Sequence, residues 1–303
     1  MTEHILEARS LVKKQDGKVF LDGINLHLEK GESIAFLGDD TQANQMLLEV
    51  LCSMEPTTSG DLFIDGLNTK YDLKRVKKKV AYISNFFDNE LSVIANLDIY
   101  SRLYDIPKKT IEKRISEYLR IYDLEEHMGS SPADLSEFKQ FKLAYIRAKI
   151  IEPEIVFMND EFGQFNDLEL LEVTEFIEDL KSKSTMIFTT KSPVYAYKYA
   201  KKVAVFTNGK IYEYADTKES ALKNMANEVI EFSYREDEID YFISRISKGT
   251  EYYMLNDRFY LFTKHKEESK KLLEIIHSDE IIIRKPDIRD LLIRHKVQTE
   301  GRI

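Results

Sequence analysis

Apolar and polar positions alternate strictly over Gly23–Glu29 and alternate again over Ile5–Arg9, with Gly17 and Lys30-Gly31 as punctuation. Residues 3 to 30 therefore read as strands joined by turns. Ser33–Leu37 is instead a short, mainly apolar run that ends at Gly38, the pattern of a buried strand entering a tight turn. Met46, Leu47, Leu48, Val50 and Leu51 then recur at helical spacing. After a turn at Pro56–Gly60, Asp61–Asp65 and Val80–Ile83 read as strands. Leu91 to Asp123 is helical with a break at Pro107, and Leu135 to Ile151 carries an apolar face. Ile155–Met158 reads as a strand buried on both faces. A helix (Leu168–Lys181), a strand (Thr185–Thr189), a helix (Val194–Lys201) and a strand (Val203–Thr207) follow. This alternation predicts an α/β core with a parallel sheet.

Near Thr217 the pattern changes. Strand Val229–Tyr234, helix Glu238–Lys248, strands Tyr252–Leu255 and Phe259–Thr263, helix Glu267–His277 and strand Ile281–Ile283 give a βαββαβ order, with a last helix from Ile288 to His295. That order predicts a small ferredoxin-like α+β domain. The expected domains are residues 1–220 and 228–303.

Composition changes this picture only a little. The 303 residues accommodate one large domain and a smaller one. A formal charge of −9 argues against a nucleic-acid surface, which needs a concentrated basic face. The one cysteine, Cys52, falls in the apolar pattern of the helix after Gly38 and reads as a core residue. No N-terminal stretch has the layout of a signal peptide, and no run approaches the length of a membrane span.

The candidate chemistry lies at the first turn. Strand, glycine turn and helix are the setting of a phosphate-binding loop, whose pattern is G-x-x-x-x-G-K-[ST]. Counted from Gly38, the second glycine falls at Ala43, the lysine at Asn44 and the magnesium-binding hydroxyl at Gln45. The loop Gly38, Asp39, Asp40, Thr41, Gln42, Ala43, Asn44, Gln45, Met46 thus lacks the cation, and Asp39 and Asp40 set carboxylates where phosphate oxygens would lie. On these residues alone, a plain strand-turn-helix corner and an altered phosphate loop both stay open.

Taken in order, the segments resemble the ATP-binding subunit of an ABC transporter, over essentially the whole chain. Leu11–Leu26 resembles the family's first strands, with Phe20 as a substitute for the adenine-stacking aromatic, and Ser59–Gly66 is similar to its SGxIxIDG strand pair. Tyr82–Asn85 matches the glutamine loop with Asn85 for glutamine. Leu135–Lys139 matches the LSGGQ signature, keeping only Leu135 and Ser136. Ile155–Asp160 matches the Walker B strand, with Asn159 at the magnesium-orienting aspartate and Asp160 at the catalytic glutamate. Lys191 aligns with the switch histidine. Thr207–Ile211 resembles the closing hairpin, and Arg284–Leu292 with Thr299–Gly301 resembles the ending of exporter-type subunits.

The resemblance implies a P-loop NTPase-like ABC ATPase domain with an antiparallel β subdomain and a helical subdomain. It implies ATP and magnesium as ligands if the site is retained, with Gln45, Asn85 and Asn159 at the magnesium positions. It also implies a cytoplasmic location on the inner face of the membrane. The implied partners are an integral-membrane subunit, docked through Phe86–Tyr104, and a second ABC ATPase subunit in a homo- or heterodimer. The lysine, hydroxyl, aspartate and histidine are all changed at once, so the leading expectation is a catalytically degenerate subunit with a structural or regulatory role. A divergent ATPase using Asp160 as base with Lys191 reaching in is the second reading. A soluble scaffold without a transporter is the third.

Overall fold

The computed structural model describes residues 4–159, 165–215, 226–247, 249–255, 257–278, 280–291 and 294. The chain divides into two compact units, Met1–Lys201 with Phe206–Ile211, and Lys202–Val205 with Tyr212–Ile303.

In the first unit, β1 (Leu6–Gln15) and β2 (Lys18–Leu28) form an antiparallel sheet with β4 (Ser59–Ile64) and β5 (Leu67–Asn68), in the order β2-β1-β4-β5. The predicted alternation is what the sheet uses: Leu21, Ile24, Leu26 and Leu28 are buried. Beside it, β3 (Ser33–Leu37), β8 (Thr185–Thr190), β7 (Ile155–Asn159) and β6 (Val80–Ile83) lie parallel and adjacent in that order. Every residue of β3 and β8 is buried, as a parallel strand covered on both faces requires.

Helices α1 (Thr41–Leu51) and α2 (Leu73–Lys77) precede β6, and a helical subdomain follows it. That subdomain comprises α3 (Val93–Ser101), α4 (Lys108–Ile121) and α5 (Glu137–Ile151). Between α3 and α4 the chain breaks at Asp105, whose φ is 53°, two residues before Pro107. α6 (Asp167–Lys181) starts from a capping box in which Asn166 and Glu169 each bond the other's backbone N–H. α7 (Pro193–Tyr199) and strands β9 (Lys202–Thr207) and β10 (Lys210–Ala215) follow.

In the second unit, β11 (Glu228–Ser233), β12 (Glu251–Leu255), β13 (Arg258–Thr263) and β14 (Ile281–Arg284) form an antiparallel sheet in the order β12-β13-β11-β14. With α8 (Ile239–Ile243) and α9 (Lys266–Leu273), this is the split βαββαβ arrangement expected from the pattern. Ile230, Phe232, Phe242, Phe259, Leu261 and Leu272 form its core. α8 is shorter than the predicted Glu238–Lys248, because the Ser244 hydroxyl donates to the Tyr241 carbonyl and competes with the helical ladder. Of the last predicted helix, residues beyond 291 lie almost wholly outside the described ones.

Candidate nucleotide-site region

The carboxyl ends of β3, β7 and β8 bring Gly38, Asn159 and Lys191 to one edge of the parallel strands, the place where open α/β sheets bind ligands. Gly38 is fixed by sterics. Its N–H donates to the Thr190 carbonyl at 3.1 Å, and a Cβ built on it would lie 2.2 Å from the Phe206 carbonyl oxygen. Gly38→Ala is expected to cost about 2 kcal/mol or more, read as a lowered denaturant midpoint, because backbone and not a flexible side chain must give way.

The loop after Gly38 is closed by its own side chains. Asp40 caps α1, and its Oδ1 accepts from the Ala43 N–H at 3.0 Å. A carboxylate of the chain thereby stands where a phosphate oxygen would use the same amide and the same positive helix end. Asn44, at the lysine position, turns back into the loop, and its Nδ2 donates to the Gly38 carbonyl at 2.9 Å. It is only 3% exposed, and its Oδ1 is buried with no hydrogen-bond partner in the structure. A lysine there would extend toward ligand phosphates, whereas this amide is consumed in tying the turn shut. Gln45 Nε2 donates to Glu49 Oε1 at 2.7 Å, along the helix, while Met46 is buried in the core. Thr41 and Gln42 open the helix at the surface, and Asp39 is exposed beside them. Lys18 Nζ reaches Gln42 Oε1 at 3.2 Å and Asp40 Oδ2 at 3.8 Å while lying 4.7 Å over the ring of Phe20. The ring face on which a base would stack thus already carries an ammonium.

Of the other sequence-marked residues, Asn159 and Ser136 are also committed within the chain. Asn159 Oδ1 accepts from Thr189 Oγ1 at 2.7 Å across neighbouring strands. Lys191 is exposed, and Asn85 is half-buried in the segment after β6. Ser136 is the N-cap of α5, accepting from the Lys139 N–H at 3.4 Å. Asp160 lies outside the described residues. Among the described residues, the groups that a magnesium nucleotide would use are engaged within the chain: the helix-end amide and the lysine-position amide are occupied from within, and two of the three magnesium positions, Gln45 and Asn159, bond to neighbouring side chains.

Sequence reasoning passed over Arg147. It is 7% exposed on α5, and burial pulls its pKa down. Nη1 donates to the Phe86 carbonyl at 2.7 Å and Nη2 to the Ser84 carbonyl at 2.8 Å, while the guanidinium lies over Phe87 (4.7 Å) and Tyr100 (4.9 Å). An arginine inside an otherwise apolar helical face was the signal available. Arg147 anchors the segment after β6 and lines a cleft of about 610 Å³ with Tyr82, Phe86, Tyr100 and Leu103. Phe86 and Leu103 are 69% and 68% exposed at its mouth. Cys52 also lines the cleft but is buried, which pushes its thiol up to about 12, in keeping with a core residue.

Residues 21–162 match the ABC transporter family. The chain is 26% identical over 232 residues to the glycine betaine/carnitine/choline transport ATP-binding protein OpuCA of Bacillus subtilis (strain 168). The match covers 75% of this chain and 60% of that protein. It is 24% identical over 216 residues to the spermidine/putrescine import ATP-binding protein PotA of Pasteurella multocida (strain Pm70), covering 69% and 57%. In fold it is similar to cbiO1 from Clostridium perfringens, described as part of the ABC transporter complex cbiONQ, with a TM-score of 0.61 at 19% identity over 72% of this chain and 90% of that one. The first unit has the fold of an ABC ATPase domain. The chain spans 60% and 57% of the length of the two curated relatives. Their names speak of transport and import, so the exporter-type expectation gains no support from them. No helix among the described residues is long and apolar enough to cross a membrane.

Proposed function

We propose that this chain is a catalytically degenerate ABC-type subunit of a membrane transport complex, with a structural or regulatory role. The observation that carries the reading is the Asp40 carboxylate on the Ala43 amide, an internal anion at the helix end that nucleotide phosphate would need. The Asn44 staple to Gly38 and the neutral Asn159 support it, since phosphoryl transfer rests on a lysine, a metal and positioned acceptors acting together. The subunit sits at the cytoplasmic face of the membrane. An integral-membrane partner engages the Phe86–Tyr104 segment, whose cleft and exposed Phe86 and Leu103 suit an apolar helix of that partner. A second ABC ATPase subunit, identical or different, completes the complex. Only the C-terminal sequence pattern speaks for the exporter-type direction.

Phosphate release from ATP by the purified chain should equal the background and stay unchanged in Asp160→Asn. A rate that Asp160→Asn abolishes would establish the divergent ATPase instead.

A further inference from the structure

The C-terminal sheet ends on a strand whose sequence is its own antiparallel complement. β14 is last in the order β12-β13-β11-β14 and pairs along β11 from Val229↔Arg284 to Phe232↔Ile281. Among the described residues its outer edge has no strand partner. Ile281, Ile282 and Ile283 are 37%, 44% and 50% exposed. Edge strands leave a row of outward N–H and C=O groups, and natural ones are usually blunted by charge, proline or a bulge within the strand. Here three β-branched apolar residues in a row fill the strand, and its charges stand only at the two ends.

Charges bracket the isoleucines with opposite sign: Glu280 precedes them and Arg284 follows. In the sequence the pattern continues outward with Asp279 on one side and Lys285 on the other. If two copies of this strand run antiparallel about a two-fold axis through Ile282, Ile282 faces itself, Ile281 faces Ile283, and Glu280 faces Arg284. Parallel pairing in register would set Glu280 against Glu280 and Arg284 against Arg284, and like charges directly opposite are destabilising. A one-residue slip would turn the strand's side chains to the wrong faces. Both charged side chains are already held in place: Arg258 Nη2 donates to Glu280 at 2.9 Å, and Arg284 forks onto Asp290 at 2.7 and 2.8 Å.

We propose that β14 is a homodimerisation edge: a second copy of this chain adds antiparallel to it about a two-fold axis at Ile282, joining two four-stranded sheets into one. This is an isologous contact, specified by the reversal of charge across the strand. It is independent of the reading of the Gly38 loop.

Sedimentation of the full chain without nucleotide should show a dimer. Ile282→Lys, which sets two ammonium groups face to face on the axis, should weaken association at least about tenfold. Its circular dichroism should match the wild type, because Ile282 is exposed. Ile282→Cys should link to itself with oxidised glutathione as electron acceptor, while Ile281→Cys should link only when mixed with Ile283→Cys. The native Cys52 is buried and does not compete. The proposal is overturned by a wild-type chain that stays monomeric at about 100 μM, a range in which specific dimers associate. It is equally overturned by a dimer unchanged in Ile282→Lys, or by Ile281→Cys linking to itself as readily as Ile282→Cys does.

Discussion

Arg147→Met is expected to lower the stability of the ABC-type domain by about 3 kcal/mol, since each buried carbonyl that loses its donor costs about 1–3 kcal/mol. The guanidinium serves the carbonyls of Ser84 and Phe86 together, from a position that is almost fully buried. Among the described residues the guanidinium bonds only carbonyls and the Ser84 hydroxyl, so the substitution strips donors from backbone groups and leaves no orphaned acid behind. Methionine fills the volume and relieves the desolvation of the charge, which is why the loss stays below that of breaking a buried ion pair. The flat faces lying on Phe87 and Tyr100 are lost as well. Arg147→Lys should recover little, because an ammonium does not span two carbonyls as the planar fork does. Urea unfolding reads the stability, and amide exchange over residues 84 to 87 should accelerate in the variant. A loss under about 1 kcal/mol, with unchanged exchange, would remove Arg147 from its anchoring role.

The second large effect is a gain. Combining Asp40→Ser, Ala43→Gly, Asn44→Lys and Gln45→Thr removes the internal carboxylate from the helix end and replaces the amide staple with a cation. It also lets the backbone approach phosphate and supplies a metal-binding hydroxyl. Mg-ATP affinity should rise by at least about 100-fold, or about 2.7 kcal/mol, measured by calorimetry. Hydrolysis should not return, because Asn159 and the altered signature positions Glu137–Lys139 are untouched. If the fourfold variant binds nucleotide no better than wild type, the closure of the loop is not what sets affinity.

The fold was legible wherever burial has a period. Val80–Ile83 read as a short strand and Ile155–Met158 as one buried on both faces because they are apolar throughout, and the C-terminal strands came within a residue or two of the observed ranges. Helix ends were less legible, since the Ser244 hydroxyl bonds the Tyr241 carbonyl where α8 stops early, a competition that periodicity does not register. Within the loop, the sequence revealed which groups were missing but not what replaced them. Asp40 was read as a repulsive charge near phosphate, when it also serves as the cap that completes the helix. Asn44 folding onto Gly38 and Gln45 lying along α1 toward Glu49 are rotamer outcomes, decided by packing at the turn. Arg147 was hidden because its partners are carbonyls more than 60 residues away in sequence, which carry no side-chain signature.

If the chain's own side chains fill the loop after Gly38, the wild-type protein should not bind ATP when titrated with it. Calorimetry with and without magnesium should give no saturable heat up to about 1 mM nucleotide, where even a binding energy of about 4 kcal/mol would register. A saturable, magnesium-dependent isotherm in the micromolar range would contradict it, and would mean that Asp40 leaves the Ala43 amide when phosphate arrives.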